Sequence, residues 1–327
     1  MTEFWPRNSR LGRALEGVAA LMDETVRAAD FPIADEVASL VASNGKMLRP
    51  ALLYIGAGFG SKAGEGSLRS LAASVELLHV STLIHDDYID DAALRRGQPT
   101  LHTRVGPKEA VLAGDWLFSR CFLLSAASTD PENARTLARV IAAIVSSEIR
   151  QDLDKWSYST SVRSYLRKIA GKTAALFALS LQAGAQEAKA PRLVAQRLRR
   201  AGYDMGMAFQ VIDDILDFES TEGVMRKPVG RDLAEGLCTL PLIHALRRDE
   251  AGIRVGLAAL RDPSGRVDEA AVQALIARCT ELGGVDEARK EAALFTERAK
   301  GEMALLPACA ARDELESLAD RLLTRDY

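Results

Sequence analysis

Apolar residues recur every three or four positions along most of the chain, and no segment shows the two-residue alternation of a convincing strand. This spacing is typical of amphipathic helices, and turn residues separate the periodic segments. It predicts helices over residues 10–29, 33–43, 48–59, 67–90, 107–127, 131–154, 161–186, 191–219, 232–248, 251–261, 268–282, 284–305 and 311–324. No segment resembles an interdomain linker, so we predict one all-helical domain over residues 1–327.

Composition agrees with a helical chain that has a sizeable core, since 48% of the residues are hydrophobic and 6% are aromatic. The net charge of -3 offers no basic footprint for nucleic acid. The four cysteines are widely spaced, which favours reduced core thiols: Cys121, Cys238, Cys279 and Cys309. The start of the chain does not resemble a signal peptide, and no apolar run is long enough for an integral membrane segment. We therefore expect a cytoplasmic protein.

Two copies of the pattern Asp-Asp-x-x-Asp lie in apolar, helix-like sequence and begin 127 residues apart, at Asp86 and at Asp213. Residues four apart share a helix face, so Asp86 should point the same way as Asp90. If the two acidic faces came together, their like charges would need cations, and Mg²⁺ binds carboxylates together with substrate phosphates. A solvated acidic surface is the alternative. The apolar flanks favour a cavity instead, because an unpaired buried charge is costly.

Basic residues near these clusters suit a diphosphate, since Arg presents a planar fork and Lys a point charge to phosphate oxygens. They are Lys46, Arg49, Arg95, Arg96, Lys172 and Lys227. Taken alone, Lys46 and Arg49 beside a turn are typical of solvated residues, and Lys172 could equally extend its ammonium group to the surface. Glu76 and His79 also match the Glu-x-x-His of di-iron bundles, but such bundles need a second copy that this chain lacks.

From Gly45 to Pro241, the chain resembles the trans-type isoprenyl diphosphate synthases, also called polyprenyl synthetases. The matching motifs occur in the family's order. They are G-K-x-x-R-P, H-D-D-x-x-D with R-R-G, A-G-D at residues 113–115, K-T at residues 172–173, F-Q-x-x-D-D-x-x-D, and K-P-x-G-x-D followed by T-L-P. The resemblance implies the isoprenoid-synthase fold around a deep central cavity, and a homodimer. It also implies head-to-tail condensation of isopentenyl diphosphate with an allylic diphosphate.

The resemblance implies a role for each matching residue. The ligands of two or three Mg²⁺ ions would be Asp86, Asp87, Asp90, Asp213 and Asp217. Contacts to the allylic diphosphate would come from Arg95, Lys172 with its neighbour Thr173, Gln210 and Lys227. The diphosphate of isopentenyl diphosphate would be held by Lys46, Arg49, His79 and Arg96. Of these, we predict as catalytic Asp86, Asp87, Asp90, Lys172, Asp213 and Lys227.

One position departs from the family pattern. Many members carry a lysine after the segment that ends in Gly236, whereas this chain has Leu237, which supplies no cation. Some catalytic subunits of two-component, longer-chain synthases also lack this lysine, and their sequence resembles residues 148–151 here. The resemblance therefore leaves room for a heteromeric partner.

Product length should depend on residues one turn before the first cluster. Ser81 and Thr82 are both small. In the family that this chain resembles, bulky aromatic residues at these positions are typical of short-chain enzymes. We therefore expect a product of four or more isoprene units. The channel could instead end at Leu77 or Leu78, or at Phe118 or Phe122.

Two other functions fit part of the sequence. A terpene cyclase also ionises an allylic diphosphate, but it typically has one aspartate-rich motif and a different second metal motif. A regulatory or scaffolding subunit would be expected to have lost some acidic residues. Both clusters are intact, so condensation is favoured.

Overall fold

The structure, a computed structural model, describes residues 4–43, 45–61, 64–95, 97–126, 130–219, 230–262 and 264–323. Their helices are α1 (Arg10–Arg27), α2 (Ala34–Ala42), α3 (Leu48–Ala57), α4 (Glu65–Ile89), α5 (Leu101–Val105), α6 (Pro107–Ser125), α7 (Pro131–Asp154), α8 (Val162–Ile169), a π-helical segment (Ala170–Ala174), α9 (Ala175–Glu187), α10 (Arg192–Glu219), α11 (Arg231–Ala234), α12 (Leu240–Arg248), α13 (Glu250–Ala258), α14 (Glu269–Glu281), α15 (Gly284–Ala304) and α16 (Ala310–Leu323). The all-helical prediction is confirmed.

Most predicted helix bounds lie within a few residues of the observed ones, but the prediction of a single helix over residues 232–248 was wrong. That helix is broken between α11 and α12. Gly236 has a φ of 78°, in the left-handed region that a residue with a Cβ avoids. A Cβ there would also lie 2.4 Å from the Trp156 indole. Helix α12 then begins afresh, with Pro241 in its first turn.

Two small elements were not predicted. Strands β1 (Leu94–Arg95) and β2 (Gln98–Pro99) pair antiparallel just after the first acidic cluster. The short helix α5 follows them. Neither strand is long enough to produce a visible alternation of apolar and polar residues, so periodicity could not reveal them.

The chain divides into two compact units, and the single-domain prediction stays a prediction. The first unit comprises Met1–Arg139, Leu176–Arg199 and Leu305–Leu315. Within it, α4 packs along α6 and also contacts α1 and α3. Leu77, Leu78 and Ile84 of α4 are almost completely buried. This burial holds the end of α4, which carries the first acidic cluster.

The second unit comprises Val140–Ala175, Arg200–Ala304 and Glu316–Tyr327. Its helix α12 packs on α13, α14 and α15. The end of α10, with the second acidic cluster, also belongs to this unit, as do α8 and the π-helical segment.

None of the four cysteines forms a disulfide. Three are buried and Cys309 is half-buried. Within the described residues, no helix combines the length and the apolar character needed to cross a membrane.

Candidate active site

The first acidic cluster occupies the C-terminal end of α4. Asp86 and Asp87 lie in the last turn, and Asp90 is the residue that caps the helix. The Asp90 backbone N–H donates to the Asp86 carbonyl at 2.8 Å. Asp86 and Asp90 are therefore one turn apart, as the spacing predicts, and both are half-buried, whereas Asp87 is only 4% exposed.

The second cluster lies in the same position on another long helix, in the last turns of α10. Asp213 is exposed, Asp214 is buried and Asp217 is half-buried. The last turns of both α4 and α10 lack basic residues. A helix C-terminus carries partial negative charge, so each added carboxylate there costs about 0.3–1 kcal/mol until a cation arrives.

Arg95 places its guanidinium on the buried member of the first cluster. Its Nε lies 2.6 Å from Asp87 Oδ1, and Arg95 itself is held in β1 by the pairing with Gln98 of β2. The sequence predicted that Arg95 contacts a diphosphate, and that contact stays a prediction. What the structure shows is an ion pair within the protein, in which Arg95 neutralises the Asp87 carboxylate. The neighbouring Arg96 lies outside the described residues.

Three further predicted residues belong to the first unit. Lys46 accepts a hydrogen bond from the Trp5 indole at its backbone carbonyl, and its Nζ lies 5.2 Å from the Phe4 ring centre. The Arg49 guanidinium lies 5.5 Å from the Phe177 ring centre. His79 is half-buried on α4. Their joint contact with isopentenyl diphosphate stays a prediction.

The two predicted chain-length residues lie on α4 in different surroundings. Ser81 is completely buried, and its hydroxyl donates to the Gly114 carbonyl of α6 at 2.9 Å. Thr82 is half-buried, and its hydroxyl donates to the His79 carbonyl at 2.8 Å. Both hydroxyls are thus satisfied within the protein, and neither needs a substrate partner.

Ser81→Phe is expected to shift the product distribution towards shorter chains, because on the predicted channel floor a phenyl ring one turn before Asp86 would fill space that a growing chain needs. The measurement is product chromatography. Ser81→Ala is the matched control, since it removes the same hydrogen bond without adding volume, and it should leave chain length unchanged. The phenyl ring also overpacks a buried position at a cost of about 1–3 kcal/mol, so the melting temperature is followed in parallel. Unchanged chain length in a folded Ser81→Phe variant would remove Ser81 from the channel floor.

In the second unit, Asp217 is held by the turn that begins α11. Its two carboxylate oxygens accept the backbone N–H groups of Arg231 at 3.1 Å and Asp232 at 3.0 Å. Burial nevertheless raises the pKa of Asp217, and the nearby Asp213 carboxylate adds to this rise. Each oxygen keeps a lone pair beyond its hydrogen bond, so the geometry remains compatible with metal ligation.

A chain of hydrogen bonds connects the middle residue of the second cluster to its neighbours. Thr173 Oγ1 donates to Gln210 Oε1 at 2.6 Å, and Gln210 Nε2 donates to Asp214 Oδ1 at 2.8 Å. The Tyr165 hydroxyl donates to Asp214 Oδ2 at 2.6 Å. Burial is the main reason that the pKa of Asp214 rises to about 6. Asp214 thus orients Gln210, while Asp213 beside it is exposed.

Lys172 projects from the π-helical segment between α8 and α9. Such segments are rare and often mark functional sites. Gly171 allows the segment to approach α7 closely, since a Cβ there would lie 1.9 Å from Ser147 Oγ. Lys172 Nζ lies 3.0 Å from Glu148 Oε1 of α7, and both side chains are mostly shielded from solvent.

Sequence reasoning missed two residues that organise this half of the site. Tyr165 precedes Lys172 by seven residues, about two helical turns, and that spacing was the available signal. Glu148 belongs to residues 148–151, which resemble the two-component synthases, but the sequence pattern does not identify it as the partner of Lys172. Lys227, predicted as catalytic, lies within residues 220–229, outside the described residues.

The donors suit a hard divalent cation, since carboxylate oxygens are what Mg²⁺ prefers. Over the described ranges, however, no group of three or more His, Cys, Asp or Glu side chains is arranged to hold a metal ion. The predicted ligands are divided between the two compact units. Their use in one metal site therefore stays a prediction.

Comparison with known proteins gives a consistent result. The model of the family described as polyprenyl synthetase matches residues 32–277. Component 2 of heptaprenyl diphosphate synthase from Geobacillus stearothermophilus is 35% identical over 315 residues, which are 95% of this chain and 97% of that protein. Geranylgeranyl pyrophosphate synthase from Lactobacillus brevis superposes with a TM-score of 0.91 at 33% identity, covering 99% of this chain and 100% of that one.

A further solved structure includes bound groups. Polyprenyl synthase from Caulobacter crescentus, complexed with calcium and isoprenyl diphosphate, has a TM-score of 0.89 at 32% identity and covers 97% of each chain. A divalent cation and a prenyl diphosphate therefore occur together in a protein to which this chain is similar.

Proposed function

Since the chain belongs to the polyprenyl synthetase family, we propose that its two acidic clusters hold the divalent metal and the diphosphate of an elongating prenyltransferase. The protein is a polyprenyl diphosphate synthase, which extends an allylic diphosphate to four or more isoprene units. The observation that supports this use of the clusters is their placement. Each concentrates carboxylates at the negative end of a long helix, an arrangement that favours cation binding.

The metal is Mg²⁺ in this proposal, with two or three ions per site. Bound Mg²⁺ stabilises the negative charge that develops on the departing diphosphate. Asp213 is exposed and Asp86 and Asp90 are half-buried, so in this proposal these three carboxylates are the first to accept an ion. Asp87 and Asp217 complete the ligand set. Arg95 already pairs with one oxygen of Asp87, and a backbone N–H group already donates to Asp217, so fewer of their lone pairs remain for the metal.

Lys172 is the main cation for the allylic diphosphate among the described residues. Glu148 holds its ammonium group in place, so little reorganisation is needed when the substrate arrives. Gln210 and Thr173 are fixed in the hydrogen-bonded chain that ends at Asp214. Lys46, Arg49, His79 and Arg96 would hold isopentenyl diphosphate, as the family resemblance implies.

The reaction begins when the bond between the allylic carbon and the diphosphate oxygen breaks. The electron pair leaves with the diphosphate, and an allylic carbocation remains. The double bond of isopentenyl diphosphate then attacks this cation. Transfer of a proton to the released diphosphate gives a chain one isoprene unit longer. Water would convert the cation to an alcohol, so apolar walls must exclude it.

Subunit composition is a further proposal. We propose a homodimer, as is usual in the family, while the similarity to a protein named as component 2 of a heptaprenyl synthase supports a heteromeric partner as the alternative. Leu237 is consistent with that alternative, because some catalytic subunits of two-component, longer-chain synthases also lack a lysine at this position. The cytoplasmic location stays an expectation from the sequence.

One incubation tests the proposed function. The purified chain receives farnesyl diphosphate, isopentenyl diphosphate and Mg²⁺, and the products are separated by chromatography. We expect diphosphates of four or more units, and no elongated product when isopentenyl diphosphate is left out. A hydrocarbon formed from farnesyl diphosphate alone would identify a cyclase. No product until a second protein is added would identify a chain that needs a partner subunit.

A further inference from the structure

A small basic cavity lies in the second unit, beside the turn that separates α11 from α12. Its volume is about 90 Å³, and residues of α7, α8 and the turn at Gly236 line it. The charged residues that line it are Arg150, Asp154, Lys155, Arg167 and Lys168. Four of these are basic and one is acidic, so the cavity favours an anion.

Leu237 also lines this cavity. It stands where the family resemblance places a lysine, and it is half-buried. An apolar side chain therefore stands where the family's lysine would place its ammonium group, at the wall of a cavity that contains other cations. The positive charge of this region comes from α7, from Lys155 just after it and from α8, instead of from the turn at Gly236.

Among these cations, Lys168 is the one connected to the second acidic cluster. Its Nζ lies 5.6 Å from the centre of the Tyr165 ring, and Tyr165 donates to Asp214. Lys168 precedes Lys172 by four residues, about one helical turn.

The other three cations are less suitable. Arg150 and Arg167 are exposed, so their charges are largely screened by water. Lys155 Nζ lies 3.7 Å from Asp152 Oδ1, which offsets its charge. Lys168 is half-buried, and its charge is correspondingly less screened.

We propose that Lys168 supplies to the allylic diphosphate the positive charge that Leu237 cannot supply. Lys168 and Lys172 then form a pair of cations on one side of the second acidic cluster. This inference rests on the proposed function. It adds a substrate-binding residue that neither the motifs nor the family match assigns, and it would allow the proposed reaction without a lysine at position 237.

The test moves the charge from one residue to the other. Lys168→Met removes the ammonium group while keeping an unbranched side chain of similar length. Leu237→Lys adds an ammonium group at the turn, and Leu237→Met is its uncharged control. Arg163→Met, an exposed arginine on the same helix that does not line the cavity, controls for loss of any surface charge. The readouts are kcat/KM for farnesyl diphosphate, the Kd of inorganic diphosphate with Mg²⁺ by calorimetry, and the melting temperature.

We expect Lys168→Met to lower kcat/KM by about 10–100-fold and to weaken diphosphate binding, with little change in melting temperature. Lys168→Met/Leu237→Lys should recover at least about tenfold in kcat/KM over Lys168→Met/Leu237→Met, the order of one displaced charge-assisted contact. Arg163→Met should behave as the wild type.

Two results would overturn the inference. One is a Lys168→Met protein that binds diphosphate and turns over as the wild type does. The other is a Lys168→Met/Leu237→Lys double variant that performs no better than Lys168→Met/Leu237→Met. If the wild-type chain makes no elongated product, the proposed function fails instead, and the calorimetric comparison still decides whether Lys168 contacts diphosphate.

Discussion

Asp86→Ala and Asp213→Ala are each expected to lower kcat by about 10³-fold, because each removes a metal ligand and about 4 kcal/mol of transition-state stabilisation. Steady-state kinetics at saturating substrates and a range of Mg²⁺ concentrations measures this loss. The half-saturating Mg²⁺ concentration should rise as well, since fewer carboxylates remain to hold the ion.

Stability separates a lost ligand from a damaged fold. Asp213 is exposed near the negative end of α10, so its removal should leave the melting temperature of the metal-free protein unchanged or slightly higher. The stabilisation that Mg²⁺ and diphosphate together give the wild type should shrink in the variant, because a ligand stabilises the folded state in proportion to its binding.

Matched controls remove a carboxylate beside each cluster. Asp91 is exposed and lies one residue beyond the first cluster, with a φ of 49°. The control Asp91→Asn removes its charge, and asparagine tolerates this left-handed backbone conformation. Glu219→Gln lies two residues beyond the second cluster, where Glu219 pairs with Arg289 at the surface. Each should retain activity within about threefold, since exposed charges are strongly screened. Cluster variants as active as these controls would contradict the metal assignment.

Lys172→Ala is expected to lower kcat by about 10²-fold, the loss typical when one preorganised electrostatic donor is removed from a site. Lys172 is held 3.0 Å from Glu148 on the π-helical segment, so its charge is positioned before the substrate binds. The loss should appear in kcat more than in KM, because the interaction strengthens as charge develops on the leaving diphosphate.

Two further variants sharpen this prediction. Lys300→Ala removes a lysine from a surface pair with Asp320 and should leave kcat unchanged. Glu148→Gln keeps the size of the side chain but releases the Lys172 ammonium group, so we expect a smaller loss than for Lys172→Ala. Wild-type kcat in Lys172→Ala would show that other cations are sufficient for the diphosphate.

The sequence by itself determined the helical class and the reaction class. The three-to-four spacing of apolar residues is a local property of each segment, so it predicted nearly every long helix from α1 to α16. The motifs from Gly45 to Pro241 likewise identified the family, because the chemistry of binding metal and diphosphate requires particular residue types at fixed spacings. Local patterning failed only where a short element or a turn decided the outcome, as at Gly236.

Tertiary structure alone decided which acidic residues are exposed to an arriving metal ion and which are buried in the protein's own hydrogen bonding. Asp213 and Asp214 are neighbours of identical chemistry, yet one is exposed and the other is buried against Tyr165, which lies 49 residues away in sequence. The same applies to Lys172 and its partner Glu148, 24 residues apart. Burial and pairing depend on which distant segments pack together, and a single sequence without an alignment records spacing along the chain but not those contacts.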